Sequence, residues 1–231
     1  MKLSVALFFA GLFGALAAVF ILVSFGTDYW LLASESCQMD TPDNKTPGNS
    51  SIFYHEGFFW RCSFGGGDGE DSIWKFWITN QPYLKECVPA YLFPFPVSDQ
   101  THNATVYDSA IIYRGFWSVF VLLGVTAVIL AGFIIICAAP FASHCLYKAG
   151  GGLFLVSGFF LLAATVMFVI WLEVMNVVDL YEIYKNTQCS GFQMSITYGL
   201  SFMFAPVGVF FCLLAGLLFL LIGRTVQLHC H

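Results

Sequence analysis

The stretch GFWSVFVLLGVTAVILAGFIIICAA, residues 115–139, decides the fold. It runs for 25 residues without Asp, Glu, Lys or Arg, with Tyr113-Arg114 before it and Pro140 after it. An α-helix rises about 1.5 Å per residue, so a run of this length crosses the roughly 30 Å hydrocarbon core of a bilayer. Working outward, the uncharged run extends to 147, and residues 3–27, 149–172 and 186–223 share the property. All 23 charges of the 231-residue chain therefore fall in fewer than half of its positions. Only 10% of residues are charged, against about a quarter in soluble domains, and a water-soluble globule is excluded. Transmembrane helices are expected at 3–26, 115–139, 150–172 and 198–223, the first as a retained helix rather than a cleaved signal, because its apolar run is too long for one.

The segments between them are a first loop at 27–114, a short loop at 140–149, a second loop at 173–197 and a tail at 224–231. Lys2, Lys148 and Arg224 share one face with no acidic residue, while all fourteen acids lie on the other. The positive-inside rule puts both termini in the cytoplasm. Three sequons, at Asn44, Asn49 and Asn103, lie in the long loop, where glycosylation requires a lumenal face. A plasma-membrane protein with a glycosylated first loop is expected. A net charge of −5 without any basic cluster leaves no footprint for nucleic acid, and the lipid bilayer is the one certain surroundings.

Within the spans, Gly11, Gly14, Ala15 and Ala18 are small residues at helical spacing, a face for close helix approach or self-association. Gly150-Gly151-Gly152 reads as the turn before span three, and Pro206 as a kink in span four. Trp30, Trp117 and Trp171, near span ends, read as interface anchors. No span centre carries an ionisable side chain, which argues against a pump or coupled transporter. After span three, Glu173, Asn176, Asp179, Glu182 and Asn186 recur at helical spacing opposite Val174, Val177, Val178 and Tyr181, predicting a helical extension that ends before Cys189.

The first loop is too long for a connector. Its runs Ile52-Phe53-Tyr54, Gly57-Phe58-Phe59-Trp60 and 73–78, separated by turns such as Gly65-Gly66-Gly67-Asp68, predict a small antiparallel sheet. Cys37, Cys62, Cys87 and Cys189 lie on the oxidising face, where four cysteines allow three pairings. Cys62–Cys87 within the sheet is preferred; Cys37 and Cys189 then tie the two loops or stand as free thiols. Cys145 and Cys230 sit near the cytoplasmic surface, as plain thiols or palmitoylation sites, and Cys137 and Cys212 read as packing residues. The fold class is an all-α membrane protein: a four-helix transmembrane bundle with a small disulfide-bonded antiparallel sheet as ectodomain.

No catalytic or cofactor constellation is present in the sequence, so no enzyme, metal or cofactor is expected. His55-Glu56 lacks a second histidine at zinc spacing and reads as a solvated pair. Asp68, Glu70 and Asp71 lack calcium-loop spacing, and His229-Cys230-His231 reads as a frayed tail. Trp74, Phe76 and Trp77 are the candidate partner surface, with the sheet core as the competing role.

Trp30, Gly57-Phe58-Phe59-Trp60, Cys62, Cys87 and Arg114 together resemble the claudin, epithelial membrane protein and calcium-channel gamma-subunit superfamily. The resemblance implies a disulfide between Cys62 and Cys87 beneath Trp30 and Trp60. A closer resemblance, to one muscle-associated branch of that family, rests on FGTDYWLLA (25–33), HEGFFWRC (55–62), YRGFW (113–117), CAAPFASH (137–144) and LYKAGGG (146–152). It implies a membrane protein that binds integrin beta-1 and restrains myoblast differentiation, fusion and muscle regeneration. A junctional barrier or paracellular pore, or an auxiliary ion-channel subunit, is the alternative by fold analogy.

Overall fold

A computed structural model describes residues 3–38, 49–65, 86–90, 104–141, 143–174, 176–189 and 191–229. The chain divides into a helical unit, Met1–Phe25 with Ala104–Ile170 and Met203–His231, and a sheet unit, Gly26–Asn103 with Trp171–Phe202.

The helical unit is built from α1 (Leu3–Gly26), α2 (Ala104–Phe141), α3 (His144–Val169) and α5 (Leu200–His229). Within these, Leu3–Gly26, Gly115–Phe141, His144–Val174 and Leu200–Leu228 are long and apolar enough to cross a bilayer. In α1 the packed face is marked mainly by small residues rather than by polarity. Along α1 the buried positions Ala10, Gly14, Ala17, Ile21 and Ser24 recur every three or four residues, while Phe8, Phe9, Leu12, Val19 and Leu22 are exposed. Small residues let backbones approach, and bulky ones are left for lipid. Of the stripe expected at Gly11, Gly14, Ala15 and Ala18, Gly14 is buried and Ala18 half-buried, while Gly11 and Ala15 are exposed; the face packed within the chain is rotated by one residue.

Gly150-Gly151-Gly152 is a second correction, since these residues lie inside α3 rather than in a turn. A Cβ on Gly151 would stand 2.9 Å from the Gly216 carbonyl oxygen of α5, and one on Gly150 would stand 2.5 Å from Ile135. These glycines serve close approach of helices. Inside a bilayer the helix persists despite them, because no water can replace its backbone hydrogen bonds. Pro206 lies within α5.

The sheet unit comprises β1 (Leu31–Gln38), β2 (Asn49–Glu56), β3 (Trp60–Gly65), β4 (Glu86–Pro89) and β5 (Gln193–Tyr198), in the order β4-β3-β2-β1-β5 with every pair antiparallel. A π-helical turn, Ile170–Val174, and α4 (Val177–Asn186) precede β5. Tyr181 of α4, Ala33 and Phe192 form a buried cluster against which Tyr54, Met194 and Ile196 pack.

Three expectations change here. Gly57-Phe58-Phe59 forms the turn between β2 and β3, and only Trp60 of that run is strand; the run 73–78 lies outside the described residues. The second loop adds a strand, β5, beside β1. The helix expected after span three is interrupted at Asn176, whose φ of 48° is left-handed, a conformation Asn tolerates better than most side chains. Val174, expected on an apolar packed face, is 68% exposed.

Candidate functional site

The sheet unit is organised around Trp30, which follows the last residue of α1 by four positions. Its ring is 1% exposed and meets Phe58 and Phe202 edge-on, with centroids 4.6 and 5.6 Å away. The backbone N–H of Trp30 donates to the Glu56 carbonyl at 2.8 Å, and its backbone carbonyl accepts from Gly199 N–H at 2.9 Å. Next to it, Tyr29 N–H donates to the Ser201 hydroxyl at 3.2 Å. Three chain segments therefore meet at one indole. Glycine is required at two of the crossings: a Cβ on Gly57 would stand 2.6 Å from Asp28 Cα, and one on Gly199 would collide with the Tyr29 carbonyl.

The tryptophans are not interface anchors. Trp30, Trp117 and Trp171 are at most 2% exposed, and Trp117 packs 5.2 Å from Phe168 in the helical unit. An indole buries more area against protein than it gains at a headgroup level, and aromatic packing adds further.

His55-Glu56 is not a solvated pair either, being 5% and 1% exposed. His55 Nδ1 lies 3.0 Å from the Asp28 carbonyl, and its ring stacks on Tyr29 with centroids 4.7 Å apart. Glu56 accepts from Arg61 Nε at 2.9 Å and Nη2 at 3.3 Å. A buried carboxylate needs such a partner, since isolated burial of its charge costs several kcal/mol or more. Its role here is to hold the β2–β3 hairpin.

Glu35, 6% exposed on β1, accepts from the Tyr181 hydroxyl of α4 at 2.9 Å and from Tyr54 at 3.4 Å. Burial, and then the charge of Glu35, pushes the Tyr54 phenol up to about 12 and raises that of Tyr181 as well. Cys37, two residues on, is bonded to Cys189, three residues past the end of α4. Cys62 is bonded to Cys87, its register partner across β3 and β4. Beneath the N-terminal half of α4 a cleft of about 360 Å³ opens, bounded by Glu173, Asn176, Asp179, Ile196 and Tyr198. The Tyr198 hydroxyl donates to Glu173 at 2.7 Å, and burial followed by that hydrogen bond raises its pKa.

At one corner of the sheet, Phe59, Trp60 and Val88 are 46, 47 and 51% exposed. Ala90 N–H bonds the Phe59 carbonyl there at 2.8 Å, and Trp60 is the register partner of Pro89. The run Gly57-Phe58-Phe59-Trp60 was expected in the sheet, with Trp30 and Trp60 packed near the disulfide by resemblance; Trp60 is half exposed whereas Trp30 is enclosed. The spacing signal is missing because Phe58 and Phe59 are adjacent in a turn, where one points inward and the other out. Trp74, Phe76, Trp77, Asn44 and Asn103 lie outside the described residues, as do Asp68, Glu70, Asp71, Cys230 and His231. Asn49 begins β2 opposite Gln38, and Arg114 lies within α2. Cys212 is buried, Cys137 half-buried and Cys145 exposed, all three as free thiols. Among the described residues no three His, Cys, Asp or Glu side chains converge as a metal site.

Four membrane-length helices joined to a five-stranded, disulfide-linked sheet that is organised around Trp30 define a four-span membrane protein of claudin type. The chain belongs to the PMP-22/EMP/MP20/claudin family, whose sequence model, described as "PMP-22/EMP/MP20/Claudin tight junction", matches residues 15–221. Among named proteins it is similar to Transmembrane protein 182 of Danio rerio, 59% identical over 246 residues and covering 98% of both chains. The Gallus gallus and Homo sapiens proteins of the same name are 53 and 51% identical over 231 residues, covering 99% of this chain and 99 and 100% of their own.

Proposed function

We propose that the protein is a non-enzymatic regulator in the plasma membrane, with both termini cytoplasmic and the sheet unit outside the cell, that binds and restrains integrin beta-1. Through it the protein would hold back myoblast differentiation, fusion and muscle regeneration. The observation that carries the reading is the exposed corner Phe59, Trp60 and Val88, since aromatic side chains left in solvent beside a rigid scaffold suit a protein contact. The near-full-length likeness to Transmembrane protein 182 supports the choice of receptor, through the resemblance given above. Charge asymmetry and the sequons Asn44, Asn49 and Asn103 support the orientation.

The test is proximity biotinylation from a tag in the first loop in muscle cells. Integrin beta-1 should be enriched, and Phe59→Ser/Trp60→Ser should reduce its labelling; its absence from the labelled set would refute the reading. A junctional role draws on the family's description as tight junction. It predicts instead that expression in epithelial cells changes transepithelial resistance.

A further inference from the structure

Asn176, with φ 48°, precedes helix α4 and Gly191, with φ 81°, follows it, the two positive-φ positions among the described residues. Its N-terminal half borders the cleft lined by Glu173, Asp179 and Tyr198 rather than a packed core. Its middle is held by the Tyr181–Glu35 hydrogen bond and by the small cluster of Ala33, Tyr181 and Phe192, and its C-terminal end by Asn186 Oδ1, which accepts from Phe192 N–H at 3.1 Å, and by Cys37–Cys189.

The two disulfides differ in what would hold their thiols together after reduction. Cys62 and Cys87 are opposite residues of one ladder, Cys62 buried and Cys87 exposed. Flanking strand pairing would keep them facing each other. Cys37 and Cys189 join the end of a strand to a turn beyond a helix, 6.2 Å apart at Cα, and both are half-buried. Once reduced, no strand ladder holds Cys189 opposite Cys37, which lowers the effective concentration of the pair and favours the dithiol state.

We propose that α4 is a flap released by reduction of Cys37–Cys189, the reductant being a dithiol. One thiolate of the dithiol attacks a sulfur of the pair, breaking the protein S–S bond and forming a mixed disulfide. Its second thiol displaces the remaining protein sulfur. Two electrons and two protons pass to Cys37 and Cys189, and the reagent leaves as a disulfide. The freed helix uncovers Glu35, Tyr54, Met194 and Ile196. The device belongs to the sheet unit itself and does not depend on the receptor reading above.

The full chain in lipid nanodiscs tests it by graded dithiothreitol with thiol alkylation, and by amide hydrogen exchange. Cys37 and Cys189 should be labelled at about tenfold lower dithiothreitol than Cys62 and Cys87; labelling of both pairs together, or the reverse order, overturns the proposal. In Cys37→Ser/Cys189→Ser, exchange over residues 177–186 should rise about tenfold or more, with residues 31–36 and 52–56 changing less than about twofold. Unchanged protection of 177–186, or loosening of the whole sheet with it, overturns the proposal. Should that variant fail to fold, the dithiothreitol series and exchange of the partly reduced wild-type protein decide.

Discussion

The helical unit and the sheet unit differ in what they bury: both enclose aromatic rings, but the buried carboxylates Glu35 and Glu56 belong to the sheet unit. Along α1 the inward residues are mostly small, as at Ala10, Gly14 and Ala17, while elsewhere in the helical unit Trp117, Phe154, Phe168 and Phe219 are buried; no charged side chain is buried among its described residues. In the sheet unit the inward residues are large or charged, Trp30, Glu35, His55 and Glu56 among them, and each polar one is matched by a named partner. Lipid offers helices no hydrophobic drive to associate, so close approach decides their packing. Water does drive burial in the sheet unit, but that unit is too small to enclose much and relies on disulfides and satisfied charges.

Trp30→Ala is the harshest way to break the contrast. It should cost the sheet unit roughly 3–5 kcal/mol, seen in detergent as early loss of β1–β2 amide protection while helical circular dichroism survives. Next come the glycines at close crossings. Gly57→Ala drives a Cβ onto backbone at Asp28, and Gly151→Ala drives one onto the Gly216 carbonyl. Each should cost about 1–3 kcal/mol, the first felt in the sheet and the second in the thermal stability of the helices. Glu35→Ala leaves two phenols without their acceptor and should cost about 1–3 kcal/mol, with Glu35→Gln milder, measured by exchange at α4.

Alkaline pH sharpens the same point. A phenol whose pKa rises from 10.0 to about 12 on folding, as at Tyr54, binds its proton longer in the folded state than in the unfolded. Its contribution is complete below pH 10 and is lost as pH climbs through about 12. Ultraviolet titration should show Tyr54 and Tyr181 ionising late, and Tyr54→Phe/Tyr181→Phe should flatten the decline in stability. The smallest effect is the control: a Cβ on Gly11 meets nothing within 4 Å, so Gly11→Ala should stabilise α1 by up to about 1 kcal/mol.

Charge-free length made the four spans legible, because a bilayer imposes a length that no soluble element needs. Helix faces were not legible, because Ala and Phe are both apolar and the packed stripe of α1 is marked mainly by small size. Strand β5 left a period-two trace in which Met194, Ile196 and Tyr198 alternate with Gln193, Ser195 and Thr197. The uncharged run from 186 to 223 hid it by merging strand and span. Trp30 was legible as important but not as buried: proximity to a span end suggests the interface, while enclosure comes from Phe58 and Phe202, which lie far apart in sequence. Glu35 and Tyr181, 146 residues apart, carry no local signal that they meet.

Binding of purified integrin beta-1 ectodomain to the full chain in nanodiscs tests the central claim most directly. The account predicts saturable binding that Phe59→Ser/Trp60→Ser weakens about tenfold or more, as loss of a central aromatic contact does, with the sheet still folded by amide exchange. No binding by the wild-type chain, or binding that the double substitution leaves unchanged, would contradict it.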